Sequence, residues 1–83
     1  MKLLYFAWLR QRTGLAEETV SPPAEVRTVA ELVEWLRGRG PGYAEAFADL
    51  RPIRVAVNQE FARFDTAIGP GDEIALFPPV TGG

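Results

Sequence analysis

A chain of 83 residues with neither cysteine nor histidine has no disulfide and lacks the commonest ligands for zinc, copper and iron. Whatever it folds into must be held without covalent cross-links. That size makes one domain, residues 1–83, near the lower limit for a single stable core. A hydrophobic content of 47% is ordinary for a globular chain and too high for a disordered one. The same absences restrict chemistry. There is no imidazole base and no thiolate nucleophile, and Ser21, the sole serine, precedes Pro22-Pro23 with no histidine to activate it. Neither G-x-x-x-x-G-K-[ST] nor G-x-G-x-x-G occurs, so no nucleotide cradle is visible. The inventory argues against a self-contained enzyme and against a bound metal or cofactor.

A net charge of −2, from nine basic and eleven acidic residues spread along the chain, argues against nucleic-acid binding. No apolar run approaches the ~20 residues that span a bilayer. The opening "MKLLYFAWLRQRTG" is no secretory leader, because its apolar run ends at Leu9 in Arg10 and Arg12 without a small-residue cleavage site. The expectation is a cytoplasmic protein without membrane contact.

Lys2 to Leu9 reads as a strand apolar on both faces, with Leu3, Tyr5, Ala7 and Leu9 on one side and Leu4, Phe6 and Trp8 on the other. "EETVS" reads as an edge strand paired with it through the "RTGLA" turn. In "TVAELVEWLRGRG", Thr28 and Glu31 form a capping box, and Val29, Leu32, Val33 and Leu36 make one apolar face. Gly38, Gly40 and Pro41 end that helix. Tyr43 to Leu50 suggests a second, short helix with Tyr43, Phe47 and Leu50 on one side. "IRVAVNQEFARF" reads as strand, Asn58–Gln59 turn and strand; "GPGDE" is a further turn, shaped by Asp72, and "EIALF" is the last strand. Arg10, Arg12, Glu17 and Glu18 are expected to be solvated. The fold class is α+β, a mixed sheet with one main helix on one face.

The end, "LFPPVTGG", is the unusual part. Pro78 and Pro79 lack N–H donors and hold φ near −65°, so the last strand cannot go on pairing through them. The chain is expected to leave the sheet as a short polyproline stalk, with residues 78–83 as a tail. Val80 and Thr81 lead to Gly82 and Gly83, which have no Cβ. A terminal carboxylate there can enter a narrow channel, and nothing crowds its carbonyl during acyl transfer.

"GDEIALFPPVTGG", with "LLYFAWLRQRTG" and "VNQEF", resembles the small sulfur-carrier subunit of molybdopterin synthase over most of the chain. The resemblance implies a ubiquitin-like β-grasp fold. It implies that Gly83 carries the carboxylate that becomes an acyl-adenylate and then a thiocarboxylate, with Gly82 supplying clearance beside it. It implies no bound cofactor, ATP being used by an activating partner. The implied partners are an E1-like adenylating enzyme, a sulfur donor such as a cysteine desulfurase or rhodanese, and the large catalytic subunit of the synthase in a heterotetramer. That subunit moves the sulfur into precursor Z, a cyclic pyranopterin monophosphate, during molybdenum cofactor biosynthesis, so the small subunit would not be catalytic on its own. Alternative readings are a sulfur carrier for thiamine thiazole or tRNA thiolation, and a ubiquitin-like modifier conjugated through Gly83.

Strand parity extends this to a surface. If Leu3 and Tyr5 face the helix with Ile74 and Leu76, then Leu4, Phe6 and Phe77 face away, and Phe61 can join them. Such a face on a small domain marks a contact surface. Phe6, Phe61 and Phe77, with Pro78, Pro79, Val80 and Thr81, are the expected partner-binding residues. Ordering four tail residues costs on the order of 4–8 kcal/mol. Burying two or three phenylalanines, at roughly 1.5–3 kcal/mol each, offsets much of that.

Overall fold

The computed structural model describes residues 1–79. Five strands and three helices come in the order β1 (Lys2–Tyr5), α1 (Trp8–Thr13), β2 (Glu17–Thr19), α2 (Val29–Arg37), α3 (Pro41–Ala46), β3 (Arg54–Val57), β4 (Glu60–Ala62) and β5 (Glu73–Phe77). The strands form one mixed sheet in the order β2-β1-β5-β3-β4, with β1 and β5 parallel and the other pairs antiparallel. This is the β-grasp arrangement. The core lies on one side of the sheet: Leu3, Tyr5, Val55, Ile74 and Leu76 meet Val29, Leu32, Val33 and Leu36 of α2, with Phe47 and Ile53 closing the end. All of these are buried.

The first strand is shorter than its alternation suggests. Trp8 and Leu9, read as strand, open α1, and no simple turn joins β1 to β2. The chain breaks at Ala7, whose φ of 55° lies where glycine is usual. Leu9 still reaches the core, but from a helix. Arg12 stacks over the Trp8 ring at 4.9 Å, a contact that the i, i+4 spacing of a helix provides. Gly14, at φ 81°, caps the helix and donates its N–H to the Arg10 carbonyl. An eight-residue apolar run cannot by itself separate a long strand from a short strand and one helical turn.

The α2 cap forms as expected, with one change of partner. Thr28 Oγ1 accepts from the Glu31 N–H at 3.2 Å, while Glu31 Oε1 accepts from the Arg27 N–H at 3.0 Å. The N–H groups of Val29 and Ala30 donate to the Thr66 and Phe64 carbonyls, so a late loop satisfies donors that an isolated helix leaves open. Pro41 is the first residue of α3. A Cβ built on Gly42 would meet the Arg12 carbonyl, so glycine there allows α3 to pack on the backbone of α1.

Glu18 is not solvated. Its carboxylate accepts from the Tyr5 and Tyr43 hydroxyls, each at 2.7 Å, and from Arg39 Nη1 at 2.9 Å. Arg39 also lies 5.1 Å from the ring centroids of both Trp35 and Tyr43. One carboxylate therefore ties the edge strand β2 to β1, to α3 and to the segment after α2. Burial pushes the Glu18 carboxyl up, but the hydrogen bonds from Tyr43, Tyr5 and Arg39 outweigh it and hold the group below its ordinary value. Burial, reinforced by Glu18, pushes both tyrosine hydroxyls up, so they remain donors. Arg10, Arg12 and Glu17 are exposed, as expected.

A carboxyl with a lowered folded value stabilises the protein fully above its unfolded value of about 4.3 and loses that contribution as pH falls through the lower folded one. Glu18→Gln is expected to cost about 1–3 kcal/mol at neutral pH. It is also expected to flatten the fall in thermal midpoint between about pH 5 and pH 2. Thermal melts of both proteins across that range check this; parallel curves would assign the acid sensitivity to other groups.

Candidate functional site

Among the described residues, no helix lies on the side of the sheet away from α2. Register fixes which residues share it. Leu4 pairs with Ala75, Ala75 with Ala56, and Ala56 with Phe61, giving one row across four strands. In the next row Phe77 pairs with Arg54, and the Phe6 N–H donates to the Leu76 carbonyl at 3.2 Å. Phe61 is 83% exposed and Phe6 48% exposed, an unusual state for large apolar side chains. Phe77 is half-buried, its ring centroid 6.1 Å from that of Phe61 at an interplanar angle of 58°. In the first row the two alanines separate Leu4 from Phe61.

All three expected phenylalanines therefore lie on one face. Pro78, half-buried, and the exposed Pro79 continue from its edge. Val80, Thr81, Gly82 and Gly83 lie outside the described residues. Sequence reasoning missed Ala56, Ala75 and Arg54. The period-2 pattern of "RVAV" puts Arg54 and Ala56 on one side, but only the β3–β5 register sets them beside Phe77.

The turn at the other end of the sheet is built tightly. Asn58 and Gln59 have φ of 52° and 70°, the left-handed pair that a two-residue hairpin requires. Asn58 Nδ2 donates to Asp72 Oδ1 at 2.9 Å, and its Oδ1 accepts from the Glu73 N–H at 3.0 Å. Asp72 Oδ2 also accepts from the Gly69 N–H at 2.8 Å. The Asn58 amide and the Gly69 N–H hold the Asp72 carboxyl below its ordinary range. These polar groups hold β5 in register; none faces the apolar side as an acid or base.

By register the charged strand residues that share this side are Lys2, Glu17, Glu73 and Arg54. Lys2 Nζ pairs with Glu17 Oε2 at 3.6 Å near the β2 edge, and Arg54 Nη1 donates to the carbonyls of Arg51 and Ile53. Away from this face, a hollow of about 420 Å³ lies between the "SPP" segment and Ile68–Pro70, lined by Val20, Pro22, Pro23 and Val26. It brings together no group of titratable side chains.

The ThiS family matches residues 3–83. The molybdopterin synthase sulfur carrier subunit of Homo sapiens is 38% identical, over 100% of this chain and 93% of its own length. The subunit of the same name from Escherichia coli is 37% identical, over 100% and 99%. Among solved structures, small archaeal modifier protein 1 from Haloferax volcanii superposes with a TM-score of 0.78 at 32% identity, covering 96% of this chain and 97% of that one. Similar along its whole length to sulfur carrier subunits and folded as they are, the chain belongs to the ThiS family.

Proposed function

We propose that this chain is a sulfur carrier of molybdenum cofactor biosynthesis. The full-length likeness to molybdopterin synthase sulfur carrier subunits carries that reading. An apolar face whose edge runs into Pro78-Pro79 and a Gly-Gly end supports it. In this reading a partner adenylates the Gly83 carboxylate with ATP, and a sulfur donor replaces the adenylate to leave a thiocarboxylate. The large synthase subunit then binds the Phe6, Phe61 and Phe77 face, takes the tail into its site and moves the sulfur to precursor Z. The absence of histidine, cysteine and a nucleotide loop fits a small subunit that delivers a group while its partners do the chemistry.

The order of events comes from magnitudes. Ordering residues 80–83 costs on the order of 4–8 kcal/mol. One valine side chain does not recover that, whereas burying what the three phenylalanines still expose, at up to roughly 1.5–3 kcal/mol each, offsets much of it. The sheet face docks first and the tail enters second.

Intact-mass measurement of the protein from its native host tests the reading. Replacement of one oxygen by sulfur at the terminus supports it. A second reading, a modifier conjugated to proteins, has one observation behind it, the likeness to small archaeal modifier protein 1. A branched peptide joining Gly83 to a lysine would favour that reading.

Removing Gly83, or adding one residue after it, is expected to abolish sulfur transfer in a reconstituted synthase while leaving the thermal midpoint unchanged. Full product formation by an extended, unprocessed chain would overturn the assignment of Gly83. Phe77→Ala is expected to weaken binding to the large subunit by about 2–4 kcal/mol, as a central anchor does. Titration calorimetry checks this, and an unchanged affinity would remove Phe77 from the interface.

A further inference from the structure

Lys2 is the single lysine of the chain; the other eight basic residues are arginines. The two side chains carry the same charge and differ as nucleophiles. A lysine amine with a pKa of about 10.4 is neutral for a small fraction of the time and attacks activated carbonyls. A guanidinium, with a pKa above about 12, stays protonated and does not. The difference matters for a chain whose own carboxylate is activated, so the inference rests on the sulfur-carrier reading.

Topology places these residues at opposite ends of the sheet. β5 lies between β1, which runs parallel to it, and β3, which runs antiparallel. The end of β1 and the start of β3 therefore flank the point where the chain leaves β5. Arg10 and Arg12 come after β1 on α1, and Arg51 and Arg54 lead into β3, with Arg54 in register with Phe77. Lys2 pairs with Glu73 at the far end of β5, its Nζ 3.6 Å from Glu17.

Covalent reach separates the two ends. Glu73 to Phe77 is about 13 Å of strand at ~3.3 Å per residue. Pro78 and Pro79 carry the chain about 6 Å farther at polyproline rise. Four further residues span at most about 14 Å, and a lysine stem adds roughly 6 Å. A return to Lys2 must cover about 19 Å, which consumes nearly all of that length and leaves none for reversing direction. A return to position 54 has only the two prolines to retrace.

We propose that arginine in place of lysine around the tail exit is a chemoselectivity device. It leaves the activated Gly83 carbonyl with no side-chain amine of its own chain within reach, so the acyl group survives for the external sulfur nucleophile. In the reaction avoided, a neutral lysine amine adds to the carbonyl and a C–N bond forms. The bond to the leaving group breaks, its electron pair goes with that group, and the ammonium proton passes to solvent. The product is a ring closed by an isopeptide bond, one water lighter than the free acid.

The test needs no activating enzyme. The full chain is prepared with Gly83 as a C-terminal alkyl thioester, whose thiolate stands in for the adenylate leaving group. Wild type, Lys2→Arg, Arg54→Lys and the double variant are incubated at mildly alkaline pH and monitored by intact mass and peptide mapping. Arg54 is exposed and the change conserves charge but gives up the guanidinium bonds to the Arg51 and Ile53 carbonyls, so thermal midpoints of all four proteins are compared first and the fold is expected to persist. Wild type and Lys2→Arg are expected to hydrolyse to the free acid, while Arg54→Lys in either background closes a ring at position 54. A tethered amine at an effective concentration of order millimolar outruns attack between molecules at micromolar protein by roughly a thousandfold, so dilution should not reduce the ring. Ring closure through Lys2 in the wild type, or hydrolysis of Arg54→Lys at the wild-type rate without ring, would overturn the proposal. Because the thioester is made chemically, either result leaves the sulfur-carrier reading untouched.

Discussion

The parallel pairing of β1 with β5 is the constraint on which the rest of the structure depends. It joins Lys2–Tyr5 to residues some seventy positions later, with Leu3 opposite Ile74 and Tyr5 opposite Leu76. Closing so long a loop has an entropic cost that grows only slowly with its length. The four side chains, all buried against α2, offset it at roughly 1.5–3 kcal/mol each. Once that register is set, every odd–even choice in the central strands is determined. Leu4, Ala75 and Phe77 must turn outward because Leu3, Ile74 and Leu76 turn inward. The same pairing puts the end of β5 between the end of β1 and the start of β3, which is where the tail leaves the domain.

A second constraint is polar and local. In a small core the edge strand β2 has three residues and few apolar contacts with which to hold its place. Glu18 supplies what burial does not, by accepting from two tyrosine hydroxyls and one guanidinium. Each partner comes from a different segment, so the carboxylate specifies where those segments meet as well as stabilising them. Among the described residues no buried side-chain nitrogen or oxygen is left without a partner, which is the condition under which such a network is favourable. The apolar centre and this polar knot together hold one side of the sheet, and the other side is left open.

That division suits a carrier. Packing and polar satisfaction sit on the helical side, while the open side carries the exposed Phe6 and Phe61, Phe77 beside Phe61, and the two alanines Ala56 and Ala75. A partner that covers the phenylalanines gains binding free energy without disturbing the core. The basic residues that precede and follow the strands flanking the exit, Arg10, Arg12, Arg51 and Arg54, are all arginines.

Most of the element order was legible in the residues. The α2 cap at Thr28, its apolar face, the Asn58–Gln59 hairpin and the final strand obey local rules of capping, periodicity and turn conformation, which act within a few residues. The Gly-Gly end and the two prolines before it are likewise properties of sequence, and they are part of a likeness to sulfur carriers that runs along the whole chain. Three things were not legible. Helix α1 hides inside an apolar run because Leu9 is buried whether the run is strand or helix. Glu18 looks like any edge-strand glutamate, since Tyr5, Arg39 and Tyr43 lie 13, 21 and 25 residues away. Arg54 and Ala56 join the open face only through their register with β5. By itself the sequence determined which segments are helix or strand in most places, and what chemistry the chain lacks. The tertiary structure alone decided which distant residues share a face, a hydrogen bond or a tail exit, because those depend on strand pairing across the whole chain, where no local pattern reaches.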